Sequence, residues 1–235
     1  MNVGTKVRAH RRAKNELVQL LQALPAGNEY FARRFTLSSM PPELLLENFR
    51  RYVALDADEE ALAVSLTTPR VFKKGQFINA EGEINRYTNF ITSGSARVFY
   101  TDHNGQEHVI QLGIKSWWVG DYPSFITQKP GFLYTEALQP TEILAFSYEN
   151  IQILYDRVPK MERFFRLITQ KAYAAFQTRM LQNLSLDAEQ RYLAFRAAYP
   201  DLEQQIAQKH IASYLGMSAE FLSKIKKRVL AKKRL

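Results

Sequence analysis

The sequence predicts an α+β chain: an antiparallel β-roll, then a long helix, then a helix-turn-helix near the C-terminal end. Three observations carry this expectation. Between Arg70 and about Ser147, short apolar-alternating runs are separated by glycine turns, the pattern of many short strands. After Tyr148 the texture turns helical and stays so, with apolar residues recurring at intervals of four and three. Towards the end, two short amphipathic stretches flank Gly216.

Residues 1–39 are expected to form a basic arm, partly helical or disordered. Leu17, Leu20, Leu21 and Leu24 share helical spacing until Pro25-Ala-Gly27 breaks it, and Gln19 and Gln22 interrupt the apolar stretch that a signal peptide would need. The roll domain is expected over 40–150. Glu43–Tyr52 opens it as a helix, and Asp56 caps a second short helix to about Ser65. The strand candidates are Val71-Phe72, Phe77-Ile78, Phe90-Ile91-Thr92, Ala96–Tyr100, His108–Leu112 and Ile143–Phe146. Asn104-Gly105 falls between two of them and reads as a hairpin, because both residues tolerate the positive φ of a tight turn.

A long helix, expected over 151–184, carries Met161, Phe165, Ile168, Ala172, Ala175 and Arg179 along one seam. That seam is wide enough to pack on the roll and on a second chain, or on the roll alone; periodicity does not separate the two. Ser185 is read as the N-cap of a further helix ended by Pro200, within a domain spanning 185–235. In that domain Gln208–Leu215 forms one helix, Gly216 the turn and Ser218 the cap of the next. Phe221, Leu222, Ile225 and Val229 form its apolar side. The opposite side offers Ala219, Glu220, Ser223, Lys224, Lys227 and Arg228. Lysine donates to guanine and glutamate accepts from cytosine, so Glu220 and Lys224, one turn apart, are suited to a G·C-containing step. The same pair is also suited to a plain intrahelical ion pair.

Charge supports a polyanionic partner without proving one. The 235 residues hold 32 Lys and Arg against 23 Asp and Glu, for a net +9. Residues 1–38 carry seven basic and two acidic side chains, and 201–235 carry eight and three, so each end is +5 and the middle −1. A solvated basic tail gives the same arithmetic. The absence of cysteine excludes disulfides, thiolate metal sites, Cys-held iron–sulfur clusters and a Cys nucleophile. No apolar run approaches the ~20 residues of a membrane span, and a cytoplasmic location is expected.

The stretch from Gln208 through Lys209, His210 and Ser218 to Arg228 resembles the helix-turn-helix of the cyclic-AMP receptor/Fnr (Crp/Fnr) superfamily of transcription regulators. Phe72–Glu83, with its Glu-Gly-Glu ending, and Phe90–Tyr100 resemble that family's strand–glycine–strand segments. The resemblance covers about residues 40–230. It implies a cyclic-nucleotide-binding-domain-like jelly roll, a dimerisation helix, and a C-terminal, winged helix-turn-helix that binds double-stranded DNA. It also implies contact with RNA polymerase and a small-molecule effector. By resemblance, Gln208, Lys209 and His210 flank the DNA, His210 through a phosphate contact. Ser218, Ala219, Glu220, Ser223, Lys224, Lys227 and Arg228 lie at the DNA, with Ala219 where many members have a base-reading arginine.

In members that bind cyclic nucleotides, a Gly-Glu opens a short helix and a following Arg pairs with the phosphate. This chain has Gly120-Asp121 followed by Tyr122–Ile126 with Ser124, no arginine from Tyr122 to Ala137, and Lys129 as the one cation there. Gly120, Asp121, Ser124, Lys129 and Tyr134 are the candidate effector residues. Losing the bidentate Arg and shortening the acid argue against cyclic AMP. The aromatic residues Trp117, Trp118, Phe125, Phe132 and Tyr134 fit either an unknown effector or a filled core. His103 and His108 lack the His-x-His, Glu and later His of cupin metal sites, and no phosphate loop or nucleophile elbow occurs, so no enzyme, metal or cofactor is expected. The expectation is a homodimeric, sequence-specific transcription regulator that does not respond to cyclic AMP. The alternative is a ligand-binding roll whose helix-turn-helix serves protein interaction or is vestigial.

Overall fold

The computed structural model describes residues 42–232, so the basic arm expected over 1–39 lies outside the described residues. Two helices come first, α1 (Glu43–Arg50) and α2 (Ala57–Ser65). Asp56 caps α2 in a reciprocal box: its carboxylate accepts from the Asp58 and Glu59 amides while Glu59 returns to the Asp56 amide. Such a cap contributes about 1 kcal/mol.

Eight strands follow: β1 (Thr67–Phe72), β2 (Phe77–Asn79), β3 (Tyr87–Ser93), β4 (Ser95–Thr101), β5 (Glu107–Ile114), β6 (Trp118–Val119), β7 (Tyr134–Ala137) and β8 (Thr141–Ser147), with helix α3 (Tyr122–Thr127) between β6 and β7. They form two antiparallel sheets, ordered β1-β8-β3-β6 and β2-β7-β4-β5. Ile91, Val98, Val119, Ala137 and Ile143 fill the space between them. Asn104-Gly105 makes the expected hairpin turn, with β4 and β5 paired on either side from Thr101↔Glu107 to Ser95↔Ile114.

Two strands, β6 and β7, were not expected from the sequence. β6 has two residues, too few to show a period. In β7 the inward residues are Thr135 and Ala137 while Tyr134 and Glu136 face out, so no apolar alternation marks it.

Four helices follow the last strand: α4 (Tyr148–Arg157), α5 (Lys160–Ser185), α6 (Ala188–Ala198) and the short α7 (Leu202–Gln205). The pair α8 (Gln208–Tyr214) and α9 (Ala219–Lys232) completes the described chain. The single helix expected over 151–184 is therefore two. Pro159 cannot donate a backbone bond and disfavours a helical Val158, which adopts φ −134° and ψ 77°. Ser185 is the last residue of α5, and its hydroxyl donates to the Leu181 carbonyl. The cap of α6 is Asp187, whose box partner Gln190 stands three residues on.

Each sheet is covered on both faces. Phe90, Leu144 and Phe146 of the first sheet pack outward on α1, α4 and the start of α5, in an aromatic cluster with Phe49, Trp118 and Phe164. Phe99, Val109, Leu112 and Ile114 of the second sheet pack outward on α6 to α9. That is why β4 is buried from Ser95 to Phe99 rather than on alternate residues. No described helix is long and apolar enough to cross a membrane, and among the described residues no strand follows α9.

Candidate DNA-binding surface and effector pocket

The helix-turn-helix is built around one apolar seam. Ile211 and Ala212 of α8, Leu215 at its C-cap, and Leu222, Ile225 and Val229 of α9 are buried together with Tyr192 and Phe195 of α6. Gly216 takes φ 69° at the turn, where a β-carbon would be strained. The Met217 amide then closes on the Ala212 carbonyl at 3.0 Å. Ser218 caps α9: its hydroxyl accepts from the Phe221 amide at 3.1 Å. Gln208 reaches across to donate to the Ala219 carbonyl at 2.9 Å, so its role here is to lock α8 to the start of α9.

Leu222, Ile225 and Val229 are buried, but Phe221, expected on the apolar side, is 46% exposed; the other side of α9 presents Glu220, Lys224, Lys227 and Arg228 to solvent, with Ser223 and Ala219 half-buried at its margin. The five basic residues of α9 are not equivalent, and the last, Lys232, pairs with Glu189 at 2.6 Å. Lys226 pairs with Glu203 at 2.9 Å and Arg228 with Glu189 at 3.6 Å, both on elements behind the helix. Lys224 and Lys227 make no ion pair among the described residues, and no Glu220–Lys224 bridge forms. Lys209 is exposed at the first turn of α8.

His210 is elsewhere. It is 7% exposed, between α8 and the roll, and burial, with the charges of Arg97, Lys209 and Lys74, pushes its pKa down to about 4. A neutral buried imidazole does not offer a phosphate the charged donor expected of His210, so that expectation is corrected. Beside it, Arg97 on β4 pairs with Glu136 at 2.6 Å and with Glu107, and lies 4.0 Å over the Phe99 ring. Nothing in the local pattern of β4 announces this buried cation.

The candidate effector residues divide. Gly120, Asp121 and Ser124 come together under α3. Asp121 is 2% exposed, and its carboxylate accepts from the Ser124 amide at 3.1 Å and the Leu133 amide at 3.3 Å. The Ser124 hydroxyl accepts from the Asn85 amide and donates to the Lys129 carbonyl. Gly131 packs so closely that a β-carbon there would lie 1.9 Å from an Asp121 oxygen. The amide at the start of α3 is thus held by the chain's own carboxylate. Lys129 joins only through its backbone; its side chain is exposed. Tyr134 is on the outer face of the second sheet, stacked on Phe99 at 5.1 Å, and does not join the group.

The sequence reading missed three asparagines at this end of the roll. Asn85 donates to the Asp121 carbonyl, Asn89 to Val119 and Asn79 to Leu133. The buried Asn79 Oδ1, Asn89 Oδ1 and Thr135 Oγ1 have no partner. All are neutral, and none supplies the positive charge a phosphate needs. The aromatic residues scatter: Trp118 and Phe125 enter the helix-side core, Trp117 meets Tyr199 at 5.6 Å, and Phe132 is 75% exposed. Among the described residues no group of three or more His, Asp and Glu is placed to hold a metal.

The seam of α5 also divides. Met161 is wholly buried in the roll's own helix-side core, and Phe165 and Ile168 pack against it. Ala172 and Ala175 are exposed, and Arg179 lies 4.3 Å over the Tyr214 ring. From Lys171 to Leu184 the helix is exposed except at Arg179 and Gln182. Its large apolar residues there, Tyr173, Phe176, Met180, Leu181 and Leu184, are 44–79% exposed.

Residues 69–158 match the cyclic nucleotide-binding domain family. No curated protein matches the chain in sequence. Among solved structures, the chain is similar to the c-di-GMP-responsive global regulator CLP of Xanthomonas campestris, at 16% identity and a TM-score of 0.61, over 76% of this chain and 93% of that one. It is similar to FixK2 of Bradyrhizobium japonicum at 15% identity and a TM-score of 0.61, over 71% and 86%. A cyclic nucleotide-binding domain from Methylobacillus flagellatus aligns at 18% identity and a TM-score of 0.53, over 59% and 82%.

Proposed function

From a chain with the fold of the Crp/Fnr regulators and a roll that matches the cyclic nucleotide-binding domain family, we propose a homodimeric, sequence-specific DNA-binding transcription regulator that works without cyclic AMP. The observation that carries this reading is α9: a serine-capped helix of 14 residues, apolar behind and presenting Glu220, Lys224 and Lys227 in front. A helix of this build fits the major groove, with residues near its N-terminus at base edges and later lysines at phosphates.

Two further features support it. The bare apolar stretch of α5 needs a partner, and a second copy offers the same stripe. A buried Asp121, with no arginine nearby in the sequence, disfavours an anionic ligand under α3, because a buried phosphate needs a paired cation.

The test separates base reading from backbone attraction. Lys224→Ala is expected to narrow the gap between preferred and random duplexes, costing about 1–3 kcal/mol on the preferred one. Lys227→Ala is expected to weaken all duplexes alike and to lower the slope of log affinity against log salt by about 1. Equal behaviour of the two variants contradicts the assignment, and an affinity independent of salt favours a helix-turn-helix that serves protein contact instead.

A further inference from the structure

The second sheet ends on β5, whose outer edge has no strand neighbour. Unpaired edges are usually blunted or covered, and here α8 covers this one. The Ser213 hydroxyl accepts from the Val109 amide at 3.0 Å and donates to the Glu107 carbonyl at 3.0 Å. One side chain of the helix-turn-helix thus satisfies a donor and an acceptor two residues apart on the roll. Around it, Phe99, Val109 and Leu112 of the roll share one buried cluster with Ile211 of α8 and Leu215 at its C-cap. Trp117 against Tyr199 and Arg179 over Tyr214 add contacts from the β5–β6 loop and from α5. The exposed face of α9 takes no part in this docking.

We propose that Ser213 is a positioning residue for DNA binding: its bridge to the β5 edge fixes the helix-turn-helix on the roll and so sets the separation of the two recognition helices in a dimer. The inference rests on the DNA-binding reading above. Once one recognition helix is seated, the second meets its half-site as an intramolecular partner, at an effective concentration that falls when the geometry loosens. A duplex with one half-site is read by one helix and is indifferent to that separation.

Ser213→Ala removes the bridge at a half-buried helical position where alanine is a better helix former, so the fold is kept. Two readouts test it, one without DNA. Amide exchange at Val109 is expected to lose its protection, while Ser213→Thr keeps it. On a duplex recovered by selection from a randomised pool, affinity for the full inverted repeat is expected to fall about tenfold with less than about a twofold change on one half-site. Retained Val109 protection in Ser213→Ala overturns the bridge. Equal losses on full and half sites overturn the positioning role, because they signal damage to the helix-turn-helix itself. A wild-type chain that selects no duplex overturns the DNA reading and takes the positioning role with it, whatever Val109 shows.

Discussion

The buried imidazole of His210 ties pH to the packing of α8 on the roll. Its pKa is pushed down to about 4, first by burial and then by Arg97, Lys209 and Lys74, with Glu107 pulling the other way. The unfolded chain takes up the proton near 6.5, whereas the fold refuses it until about 4. Stability is therefore full above 6.5 and falls as pH drops from 6.5 towards 4, because there the unfolded state binds more protons. Urea midpoints across that window should slope less in His210→Leu than in wild type. An unchanged slope would place the imidazole in water. The same burial explains why sequence reasoning misassigned this residue. A histidine beside a lysine in a basic helix-turn-helix reads as a phosphate ligand, and only the docked roll removes it from the surface. Gln208 is a parallel case, a polar residue spent on the Ala219 carbonyl.

Among the elements, α5 shows what periodicity carries and what it does not. A four-three spacing marks a helix and its apolar side, so the helix was legible. Which neighbour covers each part of that side was not, because an apolar stripe looks the same under either. In the fold, Met161 and Phe164 serve the roll, while Tyr173, Phe176, Met180 and Leu184 face outward. Burying one such side chain contributes about 1.5–3 kcal/mol, enough in several pairs to hold two chains together. On the proposed dimer, Met180→Glu combined with Leu184→Glu should therefore shift sedimentation from dimer to monomer. The unfolding temperature of the roll should stay unchanged, since neither residue touches it. A double variant that sediments like wild type would move the interface off this helix. The single helix expected over 151–184 overlooked the break that Pro159 imposes, and a cap at Ser185 overlooked both the Asp187-Gln190 box and the helix running through to Ser185 itself.

The described residues, 42–232, are layered: helices, first sheet, second sheet, then the helix-turn-helix domain. Their order along the chain was readable, because strand texture, helical texture and the Gly216 turn follow one another. The docking of the last layer on the second sheet was not, because it joins Ser213 to Glu107 and Val109 across about a hundred residues through one hydroxyl. Nor was the closure of the region under α3, where the absence of arginine was visible but the Asp121 contacts to Ser124 and Leu133 were not. The proposed dimer requires its two α9 helices to stand one turn of DNA apart, ~34 Å. The most direct test is selection of duplexes from a randomised pool by the full chain with no cyclic nucleotide present, followed by equilibrium binding at fixed salt. The account predicts an inverted repeat with half-sites about 10 base pairs apart, bound by two chains, at least about 10³-fold more tightly than random duplex. Enrichment of no repeat, or binding that appears only when cyclic AMP is added, would contradict it.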